Sequence, residues 1–142
     1  MITVEREIRS TPAVLWSHLG DLDRWAELLP TVDSVERLSA PGPIGAGSRF
    51  LVRQPGLAAA EYEVTDWRPG SGFTWAATTA GVRTTASHEL RPAAAGTLLV
   101  LGIAWSGPGA WLAKALFSRK TRRFVEQEAA AFARLAEGER PA

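Results

Sequence analysis

From residue 49 to residue 105 the chain divides into short alternating segments separated by turn residues, and a single long helical pattern follows. That order constrains the fold more than any other feature. The segments are Arg49 to Gln54, Ala58 to Trp67, Phe73 to Thr79, Val82 to Leu90 and Thr97 to Trp105. Pro55-Gly56, Pro69-Gly70-Ser71-Gly72, Ala80-Gly81 and Pro92 to Gly96 punctuate them. Apolar residues at every second position mark half-buried strands, and such short links make successive strands antiparallel. Two further strands are expected at Ile2 to Ile8 and at Val35 to Leu38.

Between those two strands, Ser10-Thr11-Pro12 supplies a hydroxyl cap and a proline at a helix start. A short helix carrying Val14, Leu15, Trp16 and Leu19 follows and ends at Gly20. Asp21 is expected to cap a second short helix with Leu22, Trp25, Leu28 and Leu29, stopped by Pro30. The long helix is expected from about Ala110 to about Glu137, its apolar stripe interrupted by the polar segment 118–123. A curved antiparallel sheet has one concave face to cover, and this helix is the only element large enough to cover it. The expectation is an α+β fold: a single domain over 1–142, a sheet wrapped around a long C-terminal helix, two short helices after the first strand, and a frayed tail at 138–142.

Composition narrows the function. With 142 residues, 46% of them hydrophobic, the chain can build one core without staples. Sixteen Lys and Arg against fifteen Asp and Glu leave a charge of +1, which gives no general pull toward nucleic acid. The absence of Cys removes thiolate chemistry and disulfides. Two His without metal-ligand spacing point to no metal site, and no dinucleotide or phosphate loop points to a cofactor. No apolar run is long enough to span a membrane, and the N-terminus does not read as a signal peptide, so a cytoplasmic location is expected. Six Trp against one Tyr is an unusual investment in indole.

Several segments carry a resemblance in order and spacing. Ile8 to Trp16 (I-R-S-T-P-A-V-L-W), Asp21-Leu22-Asp23-Arg24-Trp25 with Leu29-Pro30, and Gly45-Ala46-Gly47-Ser48-Arg49-Phe50 are three of them. Val64 to Pro69 (V-T-D-W-R-P) and Leu90-Arg91-Pro92 with Gly96-Thr97 are the others. Together they resemble the START/Bet v 1-like superfamily, in particular its bacterial polyketide cyclase/dehydrase and lipid-transport family. The resemblance implies a helix-grip fold with a cavity between helix and sheet. It implies an apolar or aromatic small molecule as partner, a polyketide cyclase or dehydratase as an alternative, and a coenzyme Q-binding chaperone-like or toxin-like interaction protein as another. A monomer or homodimer without stable membrane insertion is expected.

Strand phase suggests what lines such a cavity. Phe50 and Val52, then Ala60, Tyr62 and Val64, then Phe73, Trp75 and Ala77 share inward faces. So do Val82, Thr84, Ala86, His88 and Leu90, and Leu99, Leu101, Ile103 and Trp105. The candidate ligand-binding residues are Trp25, Phe50, Val52, Tyr62, Trp75, Thr84, His88, Trp105, Trp111, Leu112 and Leu116. If the protein is an enzyme, His88 and Tyr62 are the candidate proton-transfer groups; otherwise they are hydrogen-bonded residues of the wall. Arg6 breaks an apolar phase and either meets a ligand or reaches water along its stem. Trp25 and Trp111 are expected near the entrance, Trp75 and Trp105 beside the ligand, and Trp16 and Trp67 in the core. His18 is expected to face solvent, and Arg119, Lys120, Arg122 and Arg123 form a basic face of the helix.

Overall fold

The computed structural model describes residues 1–138. Of the expected frayed tail, only Gly138 falls within the described residues, as the end of the last helix. The elements run β1 (Ile2–Ile8), α1 (Pro12–Leu19), a 3-10 turn (Leu22–Arg24) leading into α2 (Trp25–Leu28), β2 (Ser34–Arg37), β3 (Arg49–Arg53), β4 (Ala60–Arg68), β5 (Gly72–Thr79), β6 (Val82–Ala93), β7 (Gly96–Ser106) and α3 (Ala110–Gly138). The strands form one seven-stranded antiparallel sheet in the order β1-β7-β6-β5-β4-β3-β2. The sheet grips α3, the helix-grip arrangement that the element order led one to expect. Among the described residues no helix is long and apolar enough to cross a membrane.

Local chemistry explains most boundaries. Thr11 Oγ1 accepts a hydrogen bond from the Val14 N–H at 3.2 Å, and Pro12 opens α1 where no N–H is needed. Asp21 departs from expectation. Its side chain makes no capping bond, and its carboxylate instead lies 3.6 Å from Arg24 Nη1. β6 runs through Pro92 to Ala93, past the expected end at Leu90. Its pairing with β5 stops at Glu89, so the proline sits where the strand has β7 alone as neighbour and a missing N–H is tolerated.

One irregularity changes the faces. The β4–β5 register shifts between Val64 and Asp66, so Val64 pairs with Trp75 while Trp67 pairs with Phe73. The extra residue brings Val64 and Trp67, three positions apart, to the same side. Trp67 therefore packs inward, 5.0 Å from the Trp16 ring and 5.4 Å from Phe73. Gly72 opens β5 at φ +155°, and a Cβ there would lie 2.2 Å from the His88 carbonyl oxygen. Only glycine allows that approach, which brings the β6 backbone at His88 against β5.

The two halves of α3 do different work. Val125, Ala129, Ala131, Phe132, Ala133 and Ala136 are buried in the second half, where small side chains let the helix lie close to its neighbours. The first half buries only Ala113 and spans the open end of the sheet. The polar interruption seen at 118–123 coincides with that span.

Candidate functional site

The gap beneath the first half of α3 is a cavity of about 420 Å³. That lies within the range of about 300–1,000 Å³ common for small-molecule sites. Cross-strand pairing builds its wall. Val52 faces Ala60; Trp75 faces Ala86, which in turn faces Ile103; Ala77 faces Thr84, which faces Trp105. All but Ala77 of these line the cavity. The helix supplies Leu112, Leu116, Thr121, Phe124 and Val125 from the opposite side. Leu57, Ala58, Ala80, Gly109 and Phe117 also belong to the lining. Leu112, Leu116 and Phe117 are exposed, which puts the mouth at the start of α3. Lys120, outside the lining, ties α3 to the loop after β3: Nζ donates to the Gly56 carbonyl at 3.3 Å and lies 5.7 Å from the Phe124 ring centre. Arg119, Arg122 and Arg123 are exposed.

Of the sequence candidates, Trp25, Val52, Tyr62, Trp75, Thr84, His88, Trp105, Leu112 and Leu116 are brought together on this wall. Two are not. Phe50 is fully buried behind the lining, tilted against Trp75 with ring centres 6.0 Å apart. Trp111 is 72% exposed, because one helical step carries it off the face that Leu112 presents. Trp25 is not at the entrance either. It is 2% exposed, and its Nε1–H donates to the Leu19 carbonyl at 3.2 Å. Its ring meets Phe73, Trp75, His88 and Phe132, so it forms the floor. Arg6 is exposed on the edge strand β1 and is not part of the wall, and His18 is half-buried rather than solvent-facing.

Three polar groups decide what the cavity can do. His88 is 3% exposed, stacked on Phe73 at 4.1 Å. Burial pulls its pKa down to about 4, against the smaller opposing effect of the Phe73 carbonyl. A carbonyl can only accept, so the 3.3 Å contact from Nδ1 to that oxygen assigns the proton to Nδ1. His88 is then a neutral imidazole with Nε2 as an acceptor. Burial pushes the Tyr62 phenol up to about 12, helped by the negative charge of Glu128, so it stays protonated and is able to donate. Glu128 itself is pushed up to about 7 by burial, against the stabilising hydrogen bond from Thr31. Thr31 Oγ1 donates to Glu128 Oε1 at 3.1 Å, and the Thr31 carbonyl accepts from Gln54 Nε2 at 3.2 Å.

Sequence reasoning missed Glu128. The signal was available: Phe124, Glu128 and Phe132 stand four residues apart, on one helical face. A carboxylate within an apolar stripe merits attention because burying it is costly.

A family model described as polyketide cyclase / dehydrase and lipid transport matches residues 1–137. No curated protein gave a match. Among solved structures, protein MLL2253 from Mesorhizobium loti superposes with a TM-score of 0.72 at 19% identity, covering 99% of this chain and 98% of that one. Ara h 8.0201 gives 0.65 at 16% identity, with 96% and 94% covered. The di-domain ARO/CYC BexL from the BE-7585A biosynthetic pathway gives 0.72 at 19% identity, with 99% of this chain and 50% of that chain covered. At these identities the structural likeness speaks for the helix-grip fold alone.

Proposed function

The chain belongs to the polyketide cyclase / dehydrase and lipid transport family, and from that premise we propose that it binds an apolar or aromatic small molecule between α3 and the sheet. One observation carries the proposal: a cavity of about 420 Å³ walled by Trp25, Trp75 and Trp105 and by aliphatic side chains, with its mouth at exposed apolar residues of α3. Buried apolar contact, worth about 25 cal/mol per Å², would supply most of the affinity. Tyr62 as donor and the His88 Nε2 as acceptor would orient the ligand.

The polyketide-cyclase alternative has its own specific support, the presence of a phenol and a carboxyl in one cavity. There Glu128, near neutrality, suits proton transfer better than His88, whose conjugate acid is too strong to persist at neutral pH. The neutral fluorophore N-phenyl-1-naphthylamine tests the binding proposal. Its emission should rise saturably with one site per chain. Emission that grows linearly, or that saturates identically with the heat-unfolded chain, would refute a folded binding site.

A further inference from the structure

We infer that Glu128 makes the cavity selective for an apolar aromatic molecule carrying one protonated amine, and disfavours molecules whose polar end is a carboxylate. This selectivity presupposes the binding function proposed above. Among the described residues, Glu128 is the only Asp, Glu, Lys or Arg on the cavity wall. None of the ion pairs among the described residues includes it. The hydroxyl of Thr31 donates to Oε1, which leaves Oε2 for a group inside the cavity.

A half-buried carboxyl on an apolar wall, without a cation beside it, is a costly arrangement, and its raised proton affinity follows from that desolvation. A ligand ammonium would remove it by pairing with the carboxylate in a medium where charges are weakly screened. The walls favour the same ligand. Indole and phenol rings present electron-rich faces, and Trp25, Tyr62, Trp75 and Trp105 line the cavity. A carboxylate ligand meets the opposite conditions: a like charge, a neutral imidazole at His88, and no cation on the wall.

Isothermal titration with three naphthalene probes of the same ring tests this: 2-naphthylmethylamine, 2-naphthalenemethanol and 2-naphthoate. At about pH 8 the Glu128 carboxyl is mostly ionised. The amine should bind about tenfold more tightly than the alcohol, and the acid about tenfold more weakly. Glu128→Gln keeps an acceptor for Thr31 and should bring the amine within about threefold of the alcohol, while the acid, still without a cation on the wall, stays the weakest of the three. An amine no tighter than the alcohol, or a preference for the amine that survives in Glu128→Gln, overturns the selectivity while leaving binding intact. Failure of the alcohol as well as the amine to bind the folded protein overturns both.

Discussion

Trp25→Ala should cost about 4 kcal/mol of folding stability, the largest loss expected from a single side chain here. The indole is almost wholly buried and touches four other rings, at centre distances of 5.8 Å to Phe73, 5.2 Å to Trp75, 5.5 Å to His88 and 5.8 Å to Phe132. Those partners lie on β5, β6 and α3, so Trp25 joins the short-helix segment to both layers. Truncation removes buried apolar area, leaves a hole beside an existing cavity, and orphans the Leu19 carbonyl that Nε1–H satisfied. A domain this size has about 5–15 kcal/mol in total, so the variant should be close to unfolding at 37 °C. Urea titration at equilibrium measures the loss. A change below about 1 kcal/mol would mean that Trp25 is not the floor of the packed core.

The second large effect is a pair of opposed titrations. Glu128 holds its proton up to about pH 7 in the folded chain, against 4.5 as its ordinary value. The folded state therefore binds more protons than the unfolded one between those values, and stability falls as pH rises through that window. His88 is the reverse, with about 4 in the folded chain against 6.5. Its contribution is whole above about pH 6.5 and is lost as pH falls toward 4. Each shift corresponds to about 3 kcal/mol, so the two slopes largely cancel between about pH 4.5 and 6.5.

Single variants separate them. Relative to the parent chain, Glu128→Gln should be near neutral at about pH 4 and more stable by about 3 kcal/mol at about pH 8. His88→Asn, which can keep a donor toward the Phe73 carbonyl, should gain about 3 kcal/mol relative to its own offset as pH drops from about 7 to 4. Chemical denaturation across that range reads both differences. A Glu128→Gln difference that is flat with pH would show that Glu128 titrates as an ordinary surface carboxyl.

The framework was legible because turn chemistry and periodicity agreed. Pro and Gly pairs cut the strands, Thr11-Pro12 opened α1, and the length of the last helical pattern matched α3. Details set by tertiary geometry were not legible. The bulge in β4 leaves no mark in the alternation, so phase alone would turn Trp67 outward; its core place was expected only from the family resemblance. Trp111 sits in an apolar run with Leu112, and the one-step difference in helical phase that exposes it depends on how α3 lies on the sheet. Glu128 looked like one more charge on a charged helix until the gap beneath α3 placed it on the cavity wall.

The indoles allow the central claim to be tested directly. Six Trp give six indole N–H signals in a ¹⁵N-correlated NMR spectrum. Trp25, Trp75 and Trp105 line the cavity, while Trp16 and Trp67 pack against each other away from it. Titration with N-phenyl-1-naphthylamine should move the signals of Trp25, Trp75 and Trp105 and leave those of Trp16 and Trp67 in place. Shifts confined to the exposed Trp111, or no shift at saturating probe, would contradict a binding cavity between α3 and the sheet.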